Sequence, residues 1–569
     1  MGKASDLRDG DETIDRGGDA RSEEAAREAA AHHQGSIVSR AVRGAFWMVL
    51  SGSGARVLGI LGTLAVTRFL APEEYGEVSL AALIIQIANL VTNGGISQYI
   101  AARPKAGREV IFHATFYYVV IGVVGLAATV LFGDWLGAWL HAPGIVKHLP
   151  AIAFASMLER VAVIQDRVQL RSMRFRSVGV QRSLGELVYS AVSVGLAALA
   201  AGTPYGGANA IVWASVARSV LRLITLSLTT PRRDWLEPHK LDWKITREIF
   251  AFGLPMAVVT IAGFGSQKFD NIVFQFHFGL AWLTFYNLAY NFADMPAALI
   301  GEQIGDVLVP SFAHMEDDGK RRDALLLALR MLLLLVIPMT IGLATVAPTL
   351  GKLAFPVRYQ EGIIKVLRIL ALFSIARTVT WVANSYLQVR NRPRMIMALE
   401  TGRMLGIIVL MNAFILIGMR TGPGHAVKWA CWSVVTVFAL SGVSYMWAIR
   451  RLDGVSIFAQ LVPFFPPALP CIPMVLAVRG VRWLIVRFGL FTVGHPVVTA
   501  WDQIRVFAPR VAVEIVVGAV VFVISAFVLT PKTSREFVRL IRNAVQKRRG
   551  SGAEGAAPAS EAPAAVAPQ

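Results

Sequence analysis

The chain has 569 residues, of which 55% are hydrophobic and only 16% are Asp, Glu, Lys or Arg, with a mean hydropathy of +0.55. That charged fraction is well below the ~25% of soluble domains, so the chain cannot be divided into soluble domains by its length. The formal net charge of +19 would suggest nucleic acid in a soluble chain. In so apolar a chain it fits basic loops that orient helices in a bilayer, and no nucleic-acid partner is expected. Cys431 and Cys471 are the only cysteines, both in apolar stretches, which argues against a disulfide framework or a Cys-based metal site.

Residues 1–40 are polar, small and of mixed charge, the composition of a disordered cytoplasmic tail. No cleavable signal peptide is read there, and the first apolar run is too long for a signal h-region. Apolar runs then fall near 44–69, 77–100, 110–132, 146–165, 183–201 and 208–229. A basic linker follows at 231–247. A second series lies near 253–277, 281–304, 323–349, 364–387, 395–418 and 425–449, with two more near 457–478 and 511–529. Each run is long enough to cross a bilayer at roughly 20 residues per crossing. The expected fold is therefore an all-α polytopic membrane protein of about fourteen transmembrane helices. Its divisions are an N-terminal lobe at 41–230, a C-terminal lobe at 248–450, two additional helices within 451–530 and a basic amphipathic segment and tail at 531–569.

With the N-terminus inside, the inner loops carry 21 Lys and Arg and the outer loops about half as many. Both termini are thereby expected in the cytoplasm. The longest outer loop, 479–510, holds five Arg and breaks the pattern. Beyond the last helix, Phe537, Leu540, Ile541, Ala544 and Val545 recur at helical spacing among basic residues, which suits either a helix lying on anionic headgroups or a solvated basic tail.

A shift of 211 residues lays Gly54 on Gly265, Tyr75 on Tyr286 and Gly76 on Asn287, and brings Arg56 within one position of Lys268. Such internal matching is expected of transporters built from duplicated halves. A short turn is expected in each half, FLAPEEYG in one and FHFGLAWLTFYN in the other.

Charges deep in apolar helices are costly and need a role. Counting along the helices puts Arg56, Glu159, Arg160, Arg218, Lys268, Asp270, Asp294 and Arg377 at mid-membrane depth. Arg56, Arg218, Lys268 and Arg377 are candidate cavity cations, since guanidinium and ammonium groups suit phosphate. The competing reading pairs these charges with one another to hold helices together. Asp270 and Asp294 are candidate ion-coupling carboxylates. Glu400 and Arg403, three apart, fit a structural ion pair, while Arg68 and Arg222, nearer helix ends, are expected to reach toward the interface. Trp381, Tyr286 and Tyr290 suit helix packing or interfacial anchoring better than sugar stacking.

Two stretches carry a more specific resemblance. ARVLGILGTLAVTRFLAPEEYGEVSLA, starting at Ala55, resembles the opening helix pair of the Wzx-type polysaccharide flippases, within the multidrug/oligosaccharidyl-lipid/polysaccharide exporter superfamily. FDNIVFQFHFGLAWLTFYNLAYNFADMP, starting at Phe269, is similar to that family's seventh and eighth helices, with Phe285 where a Gly is usual. The resemblance implies two bundles around a central cavity that opens alternately to either side. It also implies a lipid-linked oligosaccharide substrate on a polyprenyl pyrophosphate carrier, membrane lipids around the body, and a polysaccharide polymerase or export complex as a further partner. It implies no cofactor. Alternatives within the superfamily are a peptidoglycan-precursor flippase and a multidrug exporter. A membrane glycosyltransferase or polymerase is less compatible with the short outer loops, and the sequence lacks the GxxxxGK[ST] signature of a P-loop.

Overall fold

The computed structural model describes residues 54–536 and 539, apart from 97–98, 100–106, 172–173, 201–206, 314, 316, 391 and 493–498. The two terminal tails, and with them the proposed amphipathic residues Phe537, Leu540, Ile541, Ala544 and Val545, lie outside the described residues.

The described chain is built of helices, the structure that satisfies every backbone N–H and C=O within its own segment and so tolerates a hydrocarbon surround. In the first half these are α1 (Gly54–Val66), α2 (Pro72–Asn93), α3 (Arg108–Leu131), the short α4 (Gly133–Trp139), α5 (Leu149–Arg171), α6 (Phe175–Ala200) and α7 (Ala208–Thr229). The second half begins with α8 (Trp243–Ala313), α9 (Asp318–Ala354), α10 (Val357–Leu370) and α11 (Phe373–Val389). It continues with α12 (Pro393–Arg420), α13 (Pro423–Asp453), α14 (Ile457–Leu461), α15 (Phe465–Arg487) and α16 (Ala500–Leu529). Nine helical segments among the described residues are long and apolar enough to cross a membrane. Side chains such as Leu131, Leu199, Leu228 and Val528 stand 71–82% exposed, as suits a surface solvated by lipid tails.

Local signals set several helix starts. Pro72 opens α2, where its missing N–H costs nothing, and the Glu74 carboxylate accepts from the Ala71 N–H at 3.1 Å. Asp317 caps α9 by accepting from the Gly319 N–H at 2.8 Å. Thr499 and Asp502 cap α16 reciprocally.

The turn expected within FHFGLAWLTFYN is present: Gly279 (φ 78°, ψ −178°) leaves helical geometry there and divides α8 into two helical arms. Two expectations are revised. The predicted single crossing at 364–387 is two helices, α10 and α11, that meet at Ala371–Leu372. The predicted outer loop 479–510 is mostly helical, and all five of its arginines sit on α15 or α16.

Ends are called inner and outer here after the Lys/Arg count. At the outer end the halves meet closely. Thr284 Oγ1 donates to the Pro72 carbonyl at 2.6 Å, and a Cβ on Gly76 would stand 2.5 Å from the Leu280 carbonyl oxygen. Arg358 donates to the Arg68 carbonyl at 3.0 Å, and the Tyr359 hydroxyl donates to the Leu70 carbonyl at 2.9 Å. Arg68 is bonded at this same end. Its guanidinium donates to the Leu353 carbonyl at 3.1 Å and to Gln503 at the start of α16. At the inner end, Gly95 and Gly253 face each other backbone to backbone with no room for a side chain. Thus α2 lies along α8 over its whole length. The largest buried apolar cluster spans both halves, from Val66, Leu70 and Leu80 to Tyr359, Ile363 and Phe373.

Candidate functional site

A cavity of about 260 Å³ lies between the two halves. Its first-half wall is α1, with Arg56, Gly59, Ile60 and Thr63, and α6, with Glu186 and Tyr189. Its second-half wall is the part of α8 beyond Gly279, with Asn291, Asp294 and Met295 among its lining residues. The sequence builds the first wall from small residues: Gly59 and Gly62 bring α1 against α6, where a Cβ on Gly59 would stand 3.5 Å from the Glu186 carboxylate.

Arg56 lines the cavity directly and is exposed to it. Arg218 on α7 stands behind α6, donates to Glu186 at 2.9 Å and lies over the Tyr189 ring at 4.8 Å. Arg377 on α11 approaches from the other half. Its Nε lies 3.1 Å from Asp294, its Nη1 donates to the Tyr290 hydroxyl at 3.0 Å, and its guanidinium lies over Trp381 at 5.0 Å. Three of the four candidate cations thus come from three different helices: Arg56 lines the cavity, and Arg218 and Arg377 stand against its lining acids Glu186 and Asp294. The partners of Arg218 and Arg377 fix the direction of each guanidinium.

Lys268 is not among them. It borders a separate, apolar gap of about 50 Å³ between α2 and α8, with Ile87, Leu90, Val91 and Ile272. Asp270 is likewise elsewhere, 1% exposed, accepting from the Tyr286 hydroxyl and the Asn271 N–H. Tyr286 is itself stacked on Phe274 at 4.1 Å and Tyr290 on Phe373 at 4.7 Å, so both aromatics are packed inside the second half.

The remaining intramembrane charges serve packing. Arg160 is 3% exposed and donates to Asn89 Oδ1 at 2.8 Å, the Asn89 carbonyl at 3.0 Å, the Tyr118 carbonyl at 2.7 Å and the Thr92 hydroxyl. Arg222, expected to reach for the interface, instead joins Glu159 and lies 2.8 Å from Asp166. Glu400 and Arg403 form the expected pair, which also holds Ser266 and Tyr445. Sequence reasoning missed Glu186, although the same depth count applied to acids would have flagged a carboxylate eleven residues into an apolar helix.

A multi-pass membrane protein with its charged cavity between two helical halves is a transporter-like architecture, and comparisons with known proteins agree. The family model described as polysaccharide biosynthesis protein matches residues 65–364, and the chain belongs to that family. The succinoglycan biosynthesis transport protein ExoT of Rhizobium meliloti (strain 1021) is 22% identical over 512 residues, covering 90% of this chain and 97% of that protein. The lipopolysaccharide biosynthesis protein WzxC of Escherichia coli (strain K12) is 21% identical over 359 residues, covering 63% of this chain and 71% of that protein. Among solved structures, the lipid II flippase MurJ in an inward closed conformation superposes with a TM-score of 0.63 at 12% identity, covering 85% of this chain and 98% of that one. An inward-facing multidrug resistance MATE family transporter gives 0.54 at 16% identity, covering 70% and 95%. These structural likenesses concern the fold.

Proposed function

We propose that the chain is a Wzx-type flippase that carries a polyprenyl-pyrophosphate-linked oligosaccharide across the bacterial inner membrane by alternating access, for polysaccharide biosynthesis. The observation that supports it most is a cavity between the halves lined by Arg56, with Arg218 and Arg377 held against its lining carboxylates Glu186 and Asp294. A pyrophosphate that crosses hydrocarbon needs compensating positive charge, and guanidinium offers two parallel donors to phosphate oxygens. The family model and the named transport proteins support the substrate class. In this reading the first half, through α7, and the second half, from α8 to α13, are the moving lobes, α14–α16 are appended, and both termini face the cytoplasm. Asp294, which lines the cavity, is the better placed of the two proposed coupling carboxylates. Asp270 is enclosed by its hydrogen bonds.

The test is polysaccharide export in a strain lacking this protein, complemented with wild type or Arg56→Ala at equal membrane levels. Wild type should restore surface polysaccharide, and the variant should fall by about tenfold or more, the loss expected for a charge-assisted phosphate contact. Export by Arg56→Ala at the wild-type rate would remove the cationic path from the reading. Undiminished polysaccharide in the deletion strain itself would point to another substrate.

A further inference from the structure

Two of the cavity arginines are accompanied by carboxylates, and the placement of these pairs is informative. Glu186 on α6 holds Arg218 on α7, entirely within the first half, and Asp294 on α8 holds Arg377 on α11, entirely within the second. Neither pair crosses the cavity, so neither is a latch between the halves, because separating the halves leaves both intact. Yet both carboxylates line the same space as Arg56. Each pair is partly buried, with side-chain exposures of 34% and 30% for Arg218 and Glu186 and 11% and 18% for Arg377 and Asp294.

We propose that Glu186 and Asp294 are internal counter-anions, which occupy the arginines of the empty cavity and give them up to the phosphates of the substrate on loading. The inference rests on the reading of the cavity as a path for a phosphate-linked lipid. Its physical basis is an exchange. Three uncompensated guanidinium groups away from bulk water would be costly in the empty carrier and would hold a doubly charged pyrophosphate too firmly to release. With the two acids in place, the empty cavity keeps one net positive charge. Binding then replaces one set of ion pairs with another, and its free energy is the difference between them. Tyr189 and Arg56 on the first wall, and Tyr290, Asn291 and Trp381 on the second, are the other polar or aromatic groups around the pairs. Glu186 and Asp294 are the carboxylates among the described residues that line the cavity, and so the ones placed to stand in for phosphate there.

The experiment is titration of the purified full-length chain, in lipid nanodiscs, with inorganic pyrophosphate by calorimetry. Glu186→Gln should tighten binding by about fivefold, and Asp294→Asn, from the less exposed pair, by about tenfold. Arg218→Ala should weaken it. If Glu186→Gln and Asp294→Asn both leave binding unchanged or weaken it, while Arg218→Ala weakens it, the counter-anion role is overturned and the cationic path stands. If Arg218→Ala, Arg377→Ala and Arg56→Ala all bind pyrophosphate like wild type, the cationic path falls and the proposal with it.

Discussion

Arg160 and Arg218 occupy the same kind of position in the sequence, a lone guanidinium in the middle of an apolar helix, and the structure gives them different work. Arg160 spends its donors on Asn89, Thr92 and the Tyr118 carbonyl, all within the first half and away from the cavity. Arg160→Met should therefore cost ~2–4 kcal/mol of stability through orphaned buried acceptors, read as a lowered melting temperature of the protein in detergent. Arg56→Met, at an exposed cavity position, should shift stability by under ~0.5 kcal/mol while still lowering export by about tenfold or more. Counting depth along the helices found both classes of residue and could not separate them. What separates them is the partner, and Asn89 lies 71 residues from Arg160 in the chain. Lys268 was misplaced for the same reason. Its depth resembles that of Arg56, but its side of the helix turns it to α2 instead of the cavity.

At the scale of the element, apolar runs made most of the described helices legible, and the errors fell where a break in hydropathy and a break in the helix do not coincide. FHFGLAWLTFYN reads as a turn, and Gly279 makes that turn between two helical arms, whereas the run 364–387 reads as one crossing and is two helices. The arginines of 479–510 read as loop charge because a lone basic residue in a helix looks the same as one in solvent. Arg482 is in fact paired with Glu514 across α15 and α16 at 2.6 Å, and Glu514, 1% exposed, also accepts from Thr349 on α9 at 2.7 Å. This cluster fastens the appended helices to the second half. Glu514→Ala should leave the Arg482 charge stranded and cost ~3–5 kcal/mol, whereas replacing both residues by Met should recover most of that loss. Paired thermal melts of the single and double variants check this, and equal melting temperatures would mean that the pair does not fasten the helices.

For the molecule as a whole, the outer end is sealed in this structure by contacts between the halves, with Arg68 as a central member bonded to the end of α9 and the start of α16. Cys431 and Cys471 are buried, so engineered surface cysteines can be labelled with little background. Arg68→Cys with Gln503→Cys, joined by a short bis-maleimide, should stop export while leaving each unlinked variant partly active. Export that continues after complete linkage would show that this end does not open during transport. The seal was not readable from the sequence, because its acceptors are backbone carbonyls that every sequence possesses. The seam between α2 and α8 has a different consequence. It is touching at both ends at once, at Gly76 with Leu280 and at Gly95 with Gly253. Doors on opposite sides of an airlock cannot share one wall that must part for either. The seam therefore suits the role of pivot line, about which the halves rock, with the swing concentrated on the opposite flank where α1 faces the far arm of α8.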